Sequence, residues 1–115
     1  MISTRHRFHG YSSLRNVYKN GKSSRGSLFA VKYVINPKRR KYRVAVIVSR
    51  KVNKSAVVRN RIRRRLYETV RLLAVDIQQP YDIVITVFHD SVLNEPPKTL
   101  NAQVKKQFSE AGMLK

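Results

Sequence analysis

The densest run of charge in this chain lies on top of an apolar stripe. Arg59, Arg61, Arg63, Arg64 and Arg65 fall within seven positions, interrupted only by Asn60 and Ile62. Through the same segment Val58, Ile62, Leu66, Val70 and Leu73 recur at i+4 and i+3 steps, a spacing that predicts a helix over residues 55–75 with one face in a core. On a wheel of about 100° per residue, Asn60, Arg64 and Arg71 point away from the stripe, while Arg61 and Arg65 flank one side of it and Arg63 the other. Arg59 lies near the stripe angle, and in the first turn it is expected to project past the core edge. Like charges at helical spacing repel, and only Glu68 offers an i,i+4 partner, to Arg64. A charge run on a helix is most often a solvated face, but a solvated face mixes both signs. This one needs a folded body beneath it and an anion outside it. Phosphate suits the choice of Arg over Lys, because the planar guanidinium binds two oxygens at once and stacks on bases.

The distribution of charge extends the same argument to the whole chain. Its 115 residues carry 25 Lys and Arg against 6 Asp and Glu, a formal net charge of +19. All the excess lies early: residues 1–67 hold 20 basic residues and no acidic one, whereas residues 68–115 hold five basic and six acidic ones. Self-repulsion on that scale is relieved by a polyanion that releases its counterions on binding. The hydrophobic content of 42% is that of an ordinary folded protein, and the length suits one nucleic-acid-binding domain, residues 1–115, with a basic arm over 1–11. There is no cysteine, so disulfides and zinc–thiolate sites are excluded. No apolar run approaches the roughly 18 residues that span a bilayer, and the first residues lack the apolar centre of a signal peptide. These features predict a cytoplasmic protein with no membrane partner.

Local patterns place the remaining elements. Leu14, Val17 and Tyr18 recur at helical spacing behind Ser12 or Ser13 as cap, with Gly21 as stop, giving a short helix over residues 13–20. "LFAVKYVI" and "YRVAVIVS" are rich in β-branched and aromatic residues, and the intervening Asn-Pro and four cations predict a hairpin with a basic tip. "YDIVITVFH" is apolar without alternation, as expected of a central strand covered on both faces. Leu100, Val104, Phe108 and Ala111 mark a last helix stopped by Gly112, with Pro96 and Pro97 in the loop before it. The predicted order is α, β, β, α, β, α, with a further short strand near Ser27 or Arg43 left open. The fold class is therefore α+β.

Residues 48–68, "VSRKVNKSAVVRNRIRRRLYE", closely resemble the signature of the bacterial ribonuclease P protein subunit: a basic strand end leading into a helix with Arg-Asn-Arg, one residue, then two basic residues. "RFHGYSSLRNVYKNGKS" is similar to the family's first helix and "YDIVITV" to its later strand. The resemblance implies a small two-layer α–β sandwich like that of a ribosomal protein, with a left-handed βαβ crossover where right-handed connections are the rule. It implies a protein cofactor of a catalytic RNA that removes the 5′ leader of precursor tRNA, hence a subunit of an endoribonuclease with catalytic RNA and precursor tRNA as partners. Carried over by position, the face toward the RNA subunit uses Arg50, Lys51, Arg59, Asn60, Arg61, Arg63 and Arg64. The leader cleft uses Leu14, Tyr18, Lys19 and Lys32. Leu14 and Lys32 replace aromatics of the family, so base stacking there is expected to be weaker, and Tyr33 falls on the opposite face of a regular strand. For Tyr18 the competing role is plain core packing beside Val17.

Nothing in the chain reads as a nuclease centre of its own. A metal-dependent nuclease needs clustered carboxylates, and the first 67 residues have none. Asp76, Asp82, Asp90 and Glu95 are scattered, and His6, His9 and His89 form no paired acid and base. Catalytic residues are expected to be none, with magnesium held mainly by the RNA partner and the chain contributing neutralisation and positioning. The rival readings are a structural RNA-binding protein of ribosomal type, an autonomous nuclease relying on its histidines, and a DNA-architectural protein.

Overall fold

The computed structural model describes residues 11–77 and 79–114, with side chains from Leu14 onward. The expected basic arm, with His6 and His9, lies outside the described residues apart from Tyr11. Helix α1 spans Tyr11–Asn20, β1 Lys22–Arg25, β2 Phe29–Ile35, β3 Arg43–Ile47, α2 Ala56–Leu73, β4 Tyr81–Val87 and α3 Pro97–Glu110. Short 3₁₀ turns follow α2 at Ala74–Asp76 and β4 at Asp90–Asn94.

The four strands form one sheet in the order β1-β2-β4-β3. β1 and β2 pair antiparallel, as do β2 and β4, while β3 and β4 run parallel. This overturns the expected hairpin between "LFAVKYVI" and "YRVAVIVS". β4 lies between them, and the basic segment 38–41 belongs to a connection passing the end of β4. The physical reason is the parallel β3–α2–β4 unit, whose crossover helix lets a distant strand take the central place that its two-sided apolar pattern requires. In β4, Ile83, Val84 and Ile85 are all fully buried. The short strand left open is β1, "KSSR", an edge strand too polar to announce itself.

The two faces of the sheet are covered differently. Ile83, Ile85, Phe29, Val31, Val44 and Val46 face α2 and α3, where Ile62, Leu66, Val70, Leu100, Val104 and Phe108 complete the large core. On the other face a smaller core joins Val17 of α1 to Ala45 and Val84, with Leu14, Val34 and Ile47 packed around it. The sheet and its α2–α3 layer make the expected α–β sandwich, and α1 adds a partial cover on the far side. Tyr33 packs edge-on against Tyr81, with ring centroids 6.0 Å apart, on the α2–α3 side, as strand alternation predicts.

Helix boundaries follow local chemistry. α1 begins at Tyr11, so Ser12 and Ser13 lie within it and do not cap it. It stops at Gly21, whose N–H donates to Val17 O at 2.8 Å. A Cβ at Gly21 would collide with Val17 O and come within 2.9 Å of Tyr33 O, so glycine alone permits this tight exit against β2. α3 starts earlier than expected, because Pro97 occupies its first position, where the missing N–H costs nothing. Its end is as predicted, with Gly112 at φ 78°.

One charged pair is buried in this frame. Asp82, 1% exposed, accepts from Arg43 Nε at 2.9 Å and Nη2 at 2.8 Å, and from Asn36 Nδ2 at 2.9 Å. With three charge-assisted donors the carboxylate is well satisfied, and it ties the β2–β3 connection to the central strand.

Candidate RNA interface

The arginine helix is held at its start by a chain of small polar groups. Ser55 caps α2 by accepting from the Val58 N–H at 3.3 Å, and its own N–H donates to Asn53 Oδ1 at 2.8 Å. Asn53 Nδ2 donates in turn to Asp90 Oδ2 at 3.1 Å, linking the cap to the turn after β4. Ile62, Leu66, Thr69, Val70 and Leu73 are buried beneath, and Val58 is half-buried at the edge. Thr69 takes the inward angle between the predicted apolar positions, its hydroxyl 3.1 Å from Arg65 O and 3.0 Å from Asn101 Oδ1.

The five arginines divide into different roles. Arg61 and Arg64 are exposed and make no hydrogen bond or ion pair among the described residues. Arg63 is half-exposed and donates to Asn60 Oδ1 at 2.5 Å, which fixes both side chains on the outer face. Arg59 folds back, donating to Asn53 O and Lys54 O at 3.0 Å each, and so braces the loop that carries Lys51 and Lys54. Arg65 turns sideways and donates to Val92 O at 2.9 Å and to Leu93 O and Glu95 O, holding the turn that leads into α3. Glu68 does not serve Arg64: it pairs with Arg71, one turn toward the C-terminal end. The hydrogen bond from Arg71 holds the Glu68 carboxyl below the usual carboxylate range, and Glu68 raises Arg71 in return. Glu68 takes its i,i+3 partner over the i,i+4 one, leaving Arg61 and Arg64 without a carboxylate among the described residues.

Arg50, Lys51, Lys54 and Arg59 gather around one open hollow at the N-terminal end of α2. Lys54 is the member that the sequence reading left out, although its place three residues after Lys51 in the same basic run was the available signal. The helix N-terminus itself favours anions, so cations and exposed amides converge on one place. What this end of the molecule can do chemically is bind several phosphate oxygens without reorganising.

The second group lies on the opposite face of the sheet. Tyr18 is 44% exposed on α1, which removes it from the core. Lys32, half-buried on β2, places its ammonium 5.4 Å from the centroid of the Tyr18 ring, and Lys19 is exposed beside them. Leu14 is half-buried against the small core. So Tyr18, Lys19 and Lys32 form a cationic and aromatic edge where α1 meets β2, with Leu14 as its footing, separated by the sheet from the arginine helix. His89, with a side chain 67% exposed, lies 3.9 Å from the Asp90 carboxylate. Among the described residues no three His, Asp or Glu side chains gather as metal ligands, and no helix is long and apolar enough to cross a membrane.

The sequence profile of the family described as Ribonuclease P matches residues 2–112. The "Ribonuclease P protein component" of Pseudanabaena is 31% identical over 115 residues, covering 99% of this chain and 97% of that protein, and the one from Symbiobacterium thermophilum is 35% identical over 102 residues, covering 89% and 87%. The corresponding protein of Carboxydothermus hydrogenoformans is 43% identical over 72 residues, which is 62% of this chain and 61% of that one. Among solved structures, the Staphylococcus aureus RNase P protein superposes with a TM-score of 0.83 at 21% identity, covering 96% of this chain and 98% of that one. The RNase P protein from Thermotoga maritima gives a TM-score of 0.72 at 23% identity, over 81% and 86%. A profile spanning nearly the whole chain, full-length relatives above 30% identity and a shared fold lead to one conclusion: this chain belongs to the ribonuclease P protein component family.

Proposed function

We propose that this chain binds the catalytic RNA subunit of ribonuclease P through α2 and the preceding loop, and grips the 5′ leader of precursor tRNA along the edge between α1 and β2. The observation that carries the reading is the pair Arg61 and Arg64, left without partners among the described residues on a helix whose underside is locked into the core. On the RNA-subunit face Arg61, Arg63, Arg64 and Asn60 meet the RNA backbone, with Arg50, Lys51 and Arg59 around the hollow beside them. On the leader face Tyr18 offers a ring to a base, and Lys19 and Lys32 neutralise the adjoining phosphates. Leu14 anchors α1 on the small core of Val17, Ala45 and Val84.

Phosphodiester hydrolysis in this scheme belongs to the RNA and to magnesium ions bound mainly by it. The donor set of this chain, cationic on both faces, does not fit a resident magnesium site. What the protein contributes is charge neutralisation, which lets two anionic RNAs approach, and a fixed geometry for the leader. Such a role places it in the cytoplasm with the tRNA precursors. The test is reconstitution with the RNA subunit at low magnesium: cleavage of precursor tRNA rises on adding the protein, and the absence of any stimulation defeats the proposal. A ribosomal role would instead appear as co-purification with ribosomal particles through high salt.

A further inference from the structure

Away from both faces, a hollow of about 290 Å³ opens between the β1–β2 turn and α3, at the small end of ligand pockets, which begin at roughly 300 Å³. Gln103, Lys106, Gln107 and Glu110 line it at i, i+3, i+4 and i+7, one continuous stripe of α3, and Arg25 closes it from the strand side. Gln107 is only 9% exposed, and its Nε2 donates weakly to Phe29 O at 3.4 Å. The side-chain oxygens of Gln103 and Gln107 are both buried, and neither has a donor among the described residues. Buried acceptors are seldom left so, because each forfeits its hydration without a replacement. Gly26 explains how Gln107 is held: a Cβ there would collide with the Gln107 amide, so the turn glycine lets the amide lie against the backbone.

The wall is therefore rich in acceptors, two orphaned amide oxygens with the Glu110 carboxylate beside them, while Arg25 and Lys106 supply cations at the rim. The Arg25 guanidinium also lies 4.7 Å from the centroid of the exposed Phe88 ring, which fixes its position. We propose that this hollow binds a guanine nucleotide. Guanine alone among the RNA bases sets two adjacent donor groups, N1–H and the N2 amino group, beside the acceptors O6 and N7. The orphaned oxygens and Glu110 accept from the first pair, and Arg25 or Lys106 donates to the second, the preferred cation contact of guanine. Uracil brings a single donor, while adenine and cytosine bring one amino group with no neighbouring N–H. The inference rests on the RNA-binding reading only for its source of guanosine, an unpaired residue of an RNA strand. A free guanine nucleotide has the same chemistry.

Binding of the full chain to the pentamers UUGUU, UUAUU, UUCUU and UUUUU tests this, alongside titration of the ¹⁵N-labelled protein with guanosine 5′-monophosphate and inosine 5′-monophosphate. UUGUU is expected to bind about tenfold more tightly than the other three. Guanosine monophosphate should move the side-chain amide signals of Gln103 and Gln107, and inosine monophosphate, which lacks the N2 amino group, should move them much less. If only UUGUU gives the effect, the strand is the source; if the mononucleotide binds as well as the pentamer, a free nucleotide is. The exposed substitution Glu110→Gln and the buried one Gln107→Leu should each erase the preference while UUUUU binding stays unchanged, with the backbone amide spectrum reporting that both variants remain folded. Equal affinity for all four pentamers, or a preference that survives both substitutions, would overturn the proposal and leave the hollow to bound water. Cleavage of precursor tRNA is read separately: lost guanine preference with intact stimulation sinks this inference alone, and lost stimulation with intact preference sinks only the ribonuclease reading.

Discussion

Five arginines of identical chemistry do three things here, and the backbone around each decides which. Arg65 serves three carbonyls of the turn before α3. Arg65→Ala removes that shared donor and leaves Val92 O to the Glu95 N–H alone, and thermal or denaturant unfolding should show a loss of about 1–3 kcal/mol. Arg61→Ala and Arg64→Ala remove no hydrogen bond or ion pair among the described residues, so the same experiment should move by less than about 0.5 kcal/mol. A residue with a different test is Tyr42, 5% exposed, whose hydroxyl is pushed above its ordinary value by burial, against a smaller opposing influence of Arg71. The unfolded chain ionises this tyrosine first, near pH 10. Stability is thus full below that pH and falls as pH rises from the unfolded value toward the folded one. Tyr42→Phe should flatten the alkaline limb of a stability–pH curve; an unchanged limb would place the effect elsewhere. Glu68 has the opposite sense: its lowered carboxyl favours folding above the unfolded value and loses that as pH falls through the folded one, a small effect because the pair is exposed.

At the scale of elements, what could be read from the sequence was whatever is set locally. The α2 stripe, the central place of β4, the Gly21 and Gly112 stops and the exposure of the outer arginines all follow from spacing and residue type. The strand order did not, because the insertion of β4 between β2 and β3 depends on a crossover of distant segments, and neither strand carries its partner in its own pattern. β1 was left unplaced for a related reason, since an edge strand of Lys and Ser owes its pairing to β2. Arg65 was likewise opaque: its angle on the helix was clear, but not that the turn before α3 would run beside it. The packing of α2 makes its own prediction. Ile62→Ala or Leu66→Ala, both positions fully buried, should destabilise by about 2–5 kcal/mol. Asp82→Ala should cost about 3–5 kcal/mol, because Arg43, 14% exposed, would lose its carboxylate inside the sheet. Equilibrium unfolding measures both, and a loss below about 1 kcal/mol at either site would contradict the assigned packing.

At the scale of the molecule, the sheet is a partition. The arginine helix lies on one side with the large core beneath it, and Tyr18, Lys19 and Lys32 lie on the other, so damage to the two should be separable. Tyr18→Ala should weaken binding of precursor tRNA with a leader, relative to tRNA without one, by roughly the worth of one stacked base, 1–3 kcal/mol, and leave affinity for the RNA subunit unchanged. That the two groups belong to different elements was legible in the sequence, whereas the separation of Arg64 from Glu68 was not, because it required the finding that Glu68 turns to Arg71. The central claim is that the cationic ridge of α2 meets RNA phosphates directly, and the salt dependence of binding to the RNA subunit tests it most directly. The account predicts that Arg61→Ala with Arg64→Ala reduces the slope of log affinity against log salt by roughly 0.7 to 0.9 per lost contact, with an unaltered fold. A double variant that binds with the native slope and affinity would contradict it.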